Sequence, residues 1–187
     1  MHTQRQPCKP PHTTHHTPHT THRTPRTTHH TANYAHPTST LQTTTHHTPQ
    51  PHPQITGDNE DGANINMTVP VRAKVVPGSG PFCKSNFTVS FFVPFAYQNG
   101  TAPRPSSDNV YLETTPALKV YVTSFGGFGL SPVVTAKAKN LTDVLERDGK
   151  AIESDHYYFA GYDSPFRLTG RHNEVWIVAK DDAVEVA

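Results

Sequence analysis

The first 53 residues of this 187-residue chain contain no aspartate or glutamate and, apart from Leu41, almost no aliphatic side chain. They hold 12 of the 14 histidines and 9 of the 18 prolines, many of them in repeats of His, Thr and Pro. Burial of apolar area contributes roughly 25 cal/mol per Å², so this segment cannot offset the entropy lost on ordering it. The composition predicts a disordered, low-complexity tail over residues 1–53 and a folded domain over residues 54–187.

Cysteine and long apolar runs are also scarce. The two cysteines, Cys8 in the tail and Cys83 in a Gly/Pro/Ser loop, do not suggest a disulfide framework. No apolar run approaches the ~18 residues needed to cross a bilayer and no signal peptide is recognisable, which predicts a soluble, cytoplasmic protein. Secretion is the alternative, because four N-x-T glycosylation triplets are present. They begin at Asn66, Asn86, Asn99 and Asn140.

The folded part has no net positive charge. Residues 54–187 carry 12 Lys and Arg against 15 Asp and Glu, a net charge of −3, which does not favour nucleic-acid binding. A Gly-rich phosphate loop, a nucleophile elbow and an HExxH motif are all absent from the sequence, so we predict that the chain is not an enzyme. The tail histidines have no partners spaced as in a structural zinc site, and no metal site is predicted.

The folded part does contain stretches in which apolar and polar side chains alternate. Apolar side chains occupy every second position from Met67 to Val75, with Arg72 on the opposite, polar side, and this predicts a half-buried strand. Pro70 cannot donate to a strand ladder, so it indicates an edge or a bulge. Further stretches of this kind predict a largely antiparallel sheet. They cover residues 87–93, 110–113, 119–125, 157–160 and 174–180.

One convincing helix is predicted to begin at Pro132 and to end near Asp148. Ser131 is placed to cap its N-terminus, proline fits the first helical position, and Gly149 suits the left-handed residue that ends a helix. Its apolar residues fall on one stripe, which predicts packing against a sheet. The stripe consists of Val134, Ala138, Leu141 and Leu145.

The last two predicted strands flank a loop with strong turn chemistry, Asp163-Ser164-Pro165. In the second of these strands Trp176 alternates with its branched neighbours. We therefore expect Trp176 to be a buried structural anchor and not a ligand-binding group.

Three separated motifs carry a family resemblance. AGYDSPF with the following L..R.NEVW (residues 160–176), KVYVTSFGGF (119–128) and NINMTVPV (64–71) resemble the SOUL haem-binding domain in sequence and order. The resemblance covers about residues 54–180 and implies an α+β fold, a distorted β-barrel of two βαββ units with one main helix. The first strand and helix of the first unit are not recognisable, so the domain is expected to be incomplete at its N-terminus.

The resemblance implies non-covalent binding of haem or a related tetrapyrrole in an apolar cleft, with no reaction catalysed. Arg167 lies in the SPFRL loop, where the family suggests a basic residue near the porphyrin propionates. Four apolar residues are expected either to line a cleft between helix and sheet or to belong to the core. They are Phe125, Phe128, Leu141 and Leu145.

His156 and His172 are the only histidines outside the tail. A haem iron often takes an axial histidine, but a single histidine is a weak signal. The axial histidine proposed for some relatives lies in the part of the domain that is not recognisable here. No axial ligand is therefore predicted.

Other functions remain open. The helix resembles groove-binding helices of cell-death regulators at Leu141, Leu145 and Asp148, which favours a protein-interaction module if those leucines are exposed. A further alternative is that the chain is a degenerate or mispredicted product without function. If the domain lacks a strand and a helix, Met67, Val69 and Val71 present an uncovered apolar face beside an unpaired strand edge, and we expect the protein to self-associate.

Overall fold

The structure, a computed structural model, describes the backbone of residues 30–34 and 39–45, and the backbone and side chains of residues 57, 59–78, 85–98 and 100–180. These residues form one antiparallel sheet and one α-helix. In chain order the elements are β1 (His30–Tyr34), β2 (Ser39–Thr45), β3 (Val71–Val76), β4 (Asn86–Phe92), a 3-10 turn (Phe95–Tyr97), β5 (Val110–Thr115), β6 (Leu118–Phe125), α1 (Ser131–Arg147), β7 (Tyr157–Gly161) and β8 (Asn173–Val178).

The eight strands lie in the order β1-β6-β8-β7-β3-β4-β2-β5, and every pair of neighbours is antiparallel. In a flat sheet β5 and β6 would lie six spacings apart, about 29 Å at ~4.8 Å per strand. Only Pro116 and Ala117 connect these two strands, and such a link spans at most about 11 Å. The sheet must therefore curl strongly, while β1 and β5 remain its two edges. The predicted α+β class is confirmed, and the barrel is an open one.

The sheet order shows that the fold repeats. Exchanging β1–β4 with β5–β8 reproduces the same order from the opposite end. Ala73 and Phe159 form the middle pair of the β3–β7 ladder, so the symmetry axis passes between them. Around this axis Arg72 is equivalent to Tyr158, and Ser90, opposite Arg72, is equivalent to Trp176, opposite Tyr158.

Strands β1 and β2 come from the segment predicted to be a disordered tail. β2 pairs with β4 as β6 pairs with β8, so it takes the place of the first strand of the first unit. For the rest of residues 1–53, which lie outside the described residues, disorder stays a prediction. Among the described residues between β2 and β3, numbers 57 and 59–70, none is helical, in contrast to α1 between β6 and β7.

Helix α1 confirms the predicted helix, with one correction at its start. Leu130, in extended conformation, precedes the first helical residue Ser131, whose side chain therefore does not cap the helix. Pro132 still lies in the first turn, where a missing N–H costs nothing. Gly149 has the left-handed φ of 66° that was expected past the C-terminus. All members of the predicted stripe are buried: Val134, Ala138, Leu141 and Leu145.

Strand β3 begins later than its alternation predicted. The Val69–Pro70 bond is cis, the strand starts at Val71, and Met67 and Val69 precede it, 56% and 59% exposed. Arg72 lies on the side of β3 that was predicted to be polar, yet this residue is only 5% exposed. The Arg72 side of β3 faces the inside of the curled sheet. A polar residue on that side is therefore not necessarily in contact with solvent.

Among the described residues, two clusters of buried side chains lie on opposite faces of the second half of the sheet. The outer cluster packs α1 against β7 and β8, with Leu141, Val175 and Ile177 at its centre. The inner cluster contains Val120, Ala160 and Trp176. Trp176 is 2% exposed, which agrees with the expected structural anchor.

Candidate functional site

Two loops meet where β6 and β7 end and β8 begins. Residues 126–130 connect β6 to α1, and residues 162–172 connect β7 to β8. Asn173, 1% exposed, donates from Nδ2 to the carbonyl oxygen of Gly127 at 2.8 Å. The guanidinium carbon of Arg171 lies 4.7 Å from the centre of the Phe128 ring. These contacts fix one loop against the other.

The β7–β8 loop is also braced internally. Asp163 accepts hydrogen bonds from the backbone N–H of His172 at 2.6 Å and from Nη1 of Arg167 at 2.9 Å. Arg171 Nη1 donates to the carbonyl oxygens of Ser164 and Arg167, both at 2.7 Å. The N–H of His172, followed by the two arginines, holds the pKa of Asp163 below its usual value. The loop therefore has a defined shape although its tip is exposed.

Large apolar side chains project from both loops into solvent. We define the loop surface as Phe128, Leu130, Phe166 and Leu168, which are 46%, 62%, 89% and 75% exposed. The Arg167 side chain, 57% exposed, lies between Phe166 and Leu168 in the sequence. A group of exposed apolar residues beside a cation marks an interaction site more often than a chance feature.

Met67 and Val69 extend this apolar region. Val71, the first residue of β3, pairs with Gly161, the last residue of β7, so the residues before β3 lie next to the start of the β7–β8 loop. The Thr68 hydroxyl donates to the carbonyl oxygen of Phe92, which fixes the backbone between the two exposed side chains.

The structure separates the predicted site residues. Arg167 and Phe128 belong to the loop surface. Phe125 is half-buried, packs against the outer cluster and has its ring centre 6.4 Å from that of Phe159. Leu141 and Leu145, 1% and 3% exposed, lie in the packed contact between α1 and the sheet. A ligand reaches these two leucines only if the helix moves.

The same burial bears on the interaction-helix alternative. Leu141 and Leu145 were the apolar positions that a groove-binding helix would insert into a partner, and both are enclosed by the outer cluster. The helix would have to leave its own sheet to bind, which requires partial unfolding. The packing thus does not favour this alternative.

An open cleft does lie beside the first turns of α1. Its volume is ≈ 230 Å³, below the roughly 300–1,000 Å³ of typical small-molecule pockets. A Cβ at Gly129 would overlap the Phe159 ring, so glycine is needed where the β6–α1 loop crosses this side chain. The apolar lining includes Val75, Phe87, Val134, Tyr157 and Phe159. The cleft can hold the edge of a porphyrin but cannot enclose the ring.

Both histidines of the folded part have carboxylate partners. His172 Nε2 lies 2.9 Å from Glu174 Oε1, and His156 Nδ1 lies 2.8 Å from Asp155 Oδ1. Glu174 also accepts from the Trp176 indole and the Tyr162 hydroxyl, each at 2.8 Å. Burial tends to raise the pKa of Glu174, but these hydrogen bonds outweigh it and the pKa lies below its usual value.

A buried arginine on the inner face was not anticipated. The Arg72 guanidinium lies 4.7 Å from the centre of the Tyr158 ring and 6.0 Å from that of Phe92. Its Nε is buried and has no hydrogen-bond partner among the described residues. Burial lowers the pKa of Arg72, and burial likewise raises the pKa of Tyr158. Electrostatic interaction with Tyr158, and to a smaller extent with Glu113, raises the pKa of Arg72 and so partly opposes the effect of burial.

Sequence reasoning proposed Arg167 as a site residue, which stays a prediction, and did not consider its apolar neighbours. Phe166 and Leu168 lie in a turn-rich stretch without strand or helix periodicity, and large apolar residues in such a loop are a usable signal of an exposed binding surface. Arg171 was missed for another reason: its role is to hold carbonyl groups of its own loop, which no spacing rule predicts.

Within the described part of the chain, α1 is too short and too polar to cross a bilayer, and no other α-helix is present.

Comparison with known proteins agrees with this fold. The family model of the SOUL heme-binding protein matches residues 53–178. Heme-binding protein 2 of Homo sapiens is 40% identical over 128 residues, and the alignment covers 68% of this chain and 62% of that protein. Heme-binding protein 1 of Mus musculus is 36% identical over 124 residues, covering 66% of this chain and 65% of that protein. The chain thus spans less than two thirds of the length of these relatives.

A solved structure shows the same architecture at low identity. The crystal structure of the EcmrR C-terminal domain matches with a TM-score of 0.58 and 11% identity, covering 81% of this chain and 98% of that one. At this identity the match concerns the fold alone. The family model and the curated relatives together show more: the chain belongs to the SOUL haem-binding protein family.

Proposed function

We propose that this protein binds haem or a related tetrapyrrole non-covalently on the loop surface, as a binder and not as an enzyme. The observation that carries the proposal is the exposure of Phe128, Leu130, Phe166 and Leu168 on two braced loops next to Arg167. Relatives named for haem binding support the ligand class.

The chemistry of the surface suits a porphyrin. The macrocycle is flat and apolar, and full burial of one Phe or Leu side chain contributes about 1.5–3 kcal/mol. A micromolar complex requires about 8 kcal/mol, so four such contacts suffice only if the costs of association are small. Loops that are already braced lower those costs, because little backbone order is lost on binding.

Arg167 is the residue that would hold a propionate. Its guanidinium is the kind of donor that takes a carboxylate bidentately, but it now donates to Asp163 at 2.9 Å and to the Thr169 carbonyl at 3.0 Å. A propionate would have to share or replace these bonds. We therefore expect Arg167 to contribute orientation more than affinity.

Iron coordination is not needed for this mode of binding. Haem iron supplies a Lewis-acid centre that histidine can ligate. His172 is the histidine beside the loop surface, and Glu174 holds its Nε2. The contacts to the ring and its carboxylates carry the proposal by themselves.

The test should separate ring contacts from iron ligation, because the twelve histidines of residues 1–53 can ligate haem iron wherever they lie. We would titrate the full chain, which keeps β1 and β2, with metal-free protoporphyrin IX and follow its fluorescence. Phe166→Ser removes an 89% exposed ring of the loop surface, and Phe95→Ser removes an 81% exposed ring in the 3-10 turn as a matched control.

Phe166→Ser should weaken binding about 10-fold to 100-fold, as expected for one lost apolar contact, and Phe95→Ser should leave it unchanged. Equal affinities of the two variants, or no binding by the parent chain at micromolar porphyrin, would overturn the proposal. Self-association remains a prediction, and it would bury the same side chains as porphyrin binding. Sedimentation at the same concentrations measures it.

A further inference from the structure

The segment between α1 and β7 brings three metal-ligand side chains together on a fixed backbone. Ile152 forms an isolated bridge with Ala179, and the N–H of Glu153 donates to the carbonyl oxygen of Val178 at 2.9 Å. Lys180 N–H donates to the carbonyl oxygen of Ala151 at 3.1 Å. The segment is thus pinned beside the end of β8 just before it delivers Glu153, Asp155 and His156.

His156 is held in one orientation. The side chain is 7% exposed, and its ring stands edge-on to Tyr158 at 5.1 Å between centres and 88° between planes. Its Nδ1 lies 2.8 Å from Asp155 Oδ1. The hydrogen bond with His156 is the main reason that the pKa of Asp155 lies below its usual value, and this contact fixes the orientation of the imidazole ring.

The other ring nitrogen faces a second carboxylate. Nε2 of His156 makes no hydrogen bond to any residue in the described ranges, and its nearest carboxylate oxygen is Glu153 Oε2 at 3.9 Å. The ligand atoms of Glu153, Asp155 and His156 all lie within 4.8 Å of one another. A buried imidazole placed between carboxylates in this way is an arrangement suited to a cation.

Space is available at this point. A cleft of ≈ 190 Å³ lies between α1 and the segment, and Glu153, His156 and Tyr157 form part of its wall. One water molecule occupies about 30 Å³ of liquid, so the cleft can hold an ion with several waters. Asp143, also in the wall, is paired with Lys139 at 2.7 Å, and Lys74 acts on Asp155 from the neighbouring strand.

We propose that Glu153 and His156, with Asp155 behind the imidazole, form a site for a divalent transition-metal ion of the Zn²⁺ type. Zinc binds nitrogen and carboxylate oxygen at about 2.0–2.2 Å, so two ligands of one tetrahedral ion lie roughly 3.4 Å apart. The 3.9 Å between Nε2 and Oε2 closes to this value with a small rotation of Glu153, whose side chain is 42% exposed. Asp155, His156 and the ion would form a carboxylate–histidine–metal arrangement, with waters in the remaining positions.

The experiment needs a residue-specific signal, because the histidines of residues 1–53 also bind transition metals. We would add Co²⁺ to the ¹⁵N-labelled full chain and follow amide resonances, which the paramagnetic ion shifts or broadens near its site. Resonances of residues 153–157 should respond at about one equivalent, and excess Zn²⁺ should restore them. Those of residues 1–53 serve as an internal comparison.

Glu153→Gln carries the test, because this partly exposed change preserves shape and removes the charge. The variant should need about tenfold more Co²⁺ for the same response at residues 154–157, while the response of residues 1–53 is unchanged. Asp143→Asn, in the same cleft but already paired with Lys139, should behave as the parent chain. Absence of a response in the parent, or an equal response in Glu153→Gln, overturns the proposal.

Discussion

The two halves of the sheet have the same strand order but differ in what covers and fills them. In the second half, α1 covers the outer face, and Val175 and Ile177 beneath it are 0% and 3% exposed. In the first half, the described residues between β2 and β3 contain no helix, and Phe87 on the outer face is 37% exposed. Pairing of strands therefore defines the architecture of both halves, while α1 covers the outer face of the second.

The inner face shows the same asymmetry. Trp176 and Tyr158 of the second half are matched by Ser90 and Arg72 of the first, and all four side chains are buried. Burial alone therefore does not make the two halves alike. At these matched positions the second half buries two large aromatic side chains, whereas the first buries a small hydroxyl and a cation. We infer that these positions contribute more folding free energy in the second half than in the first.

Substitution at equivalent positions tests this inference with the largest expected effect. Trp176→Ala removes the indole from the inner cluster and leaves Glu174 without one of its hydrogen-bond donors, so it should cost about 3–5 kcal/mol of unfolding free energy. Ser90→Ala, at the matching position, should cost no more than about 1 kcal/mol. Urea denaturation of both variants measures the difference.

Equal costs at the two positions would contradict the assignment of stability to the second half. A soluble Trp176→Ala protein that unfolds cooperatively at the parent midpoint would also show that Trp176 is not an anchor.

Local signals explain what could be predicted from the sequence. α1 was identified to within a residue at each end, because its apolar stripe, its proline and Gly149 all act within the helix itself. Strand β3 was identified from the alternation of apolar and polar residues. Its start was predicted too early, because the alternation begins at Met67, whereas the strand begins at Val71, after the cis Val69–Pro70 bond. Arg167 was identified only through the family motif in its loop.

Non-local features could not be predicted. β1 and β2 have no apolar alternation, and they join the sheet through backbone pairing with β6, β4 and β5, which any sequence free of proline can provide. The burial of Arg72 depends on how strongly the sheet curls. The alternation of apolar and polar residues shows only which residues of a strand lie on the same face. The cluster of Glu153, Asp155 and His156 depends on a bend that no propensity specifies.

Arg72 offers a smaller test with the opposite sign. A cation whose Nε has no partner in the described part of the chain is costly to bury, so Arg72→Met, which keeps length and apolar contact, should raise the unfolding free energy by about 1–2 kcal/mol. The change makes the inner face of the first half more like that of the second. Arg104→Met, at an exposed arginine, is the control and should fall within about 0.5 kcal/mol of the parent. A loss of stability in Arg72→Met would show that its contacts with Tyr158 and Phe92 outweigh its desolvation.

The smallest expected effect is a pH dependence found only in the second half. Glu174 accepts hydrogen bonds from Trp176, His172 and Tyr162, and its pKa in the folded protein is lowered. Thr88 occupies the equivalent position in the first half.

A carboxyl with a lowered folded pKa stabilises the protein fully above the unfolded value of about 4.3, and this contribution is lost as pH falls through the folded pKa. Glu174→Gln should therefore be less stable than the parent by about 1 kcal/mol at pH 7, and the gap should narrow below about pH 4. Urea midpoints at pH 7, 5, 4 and 3 measure it. A gap that stays constant to pH 3 would mean that the network stabilises the fold through its shape and not through the charge of Glu174.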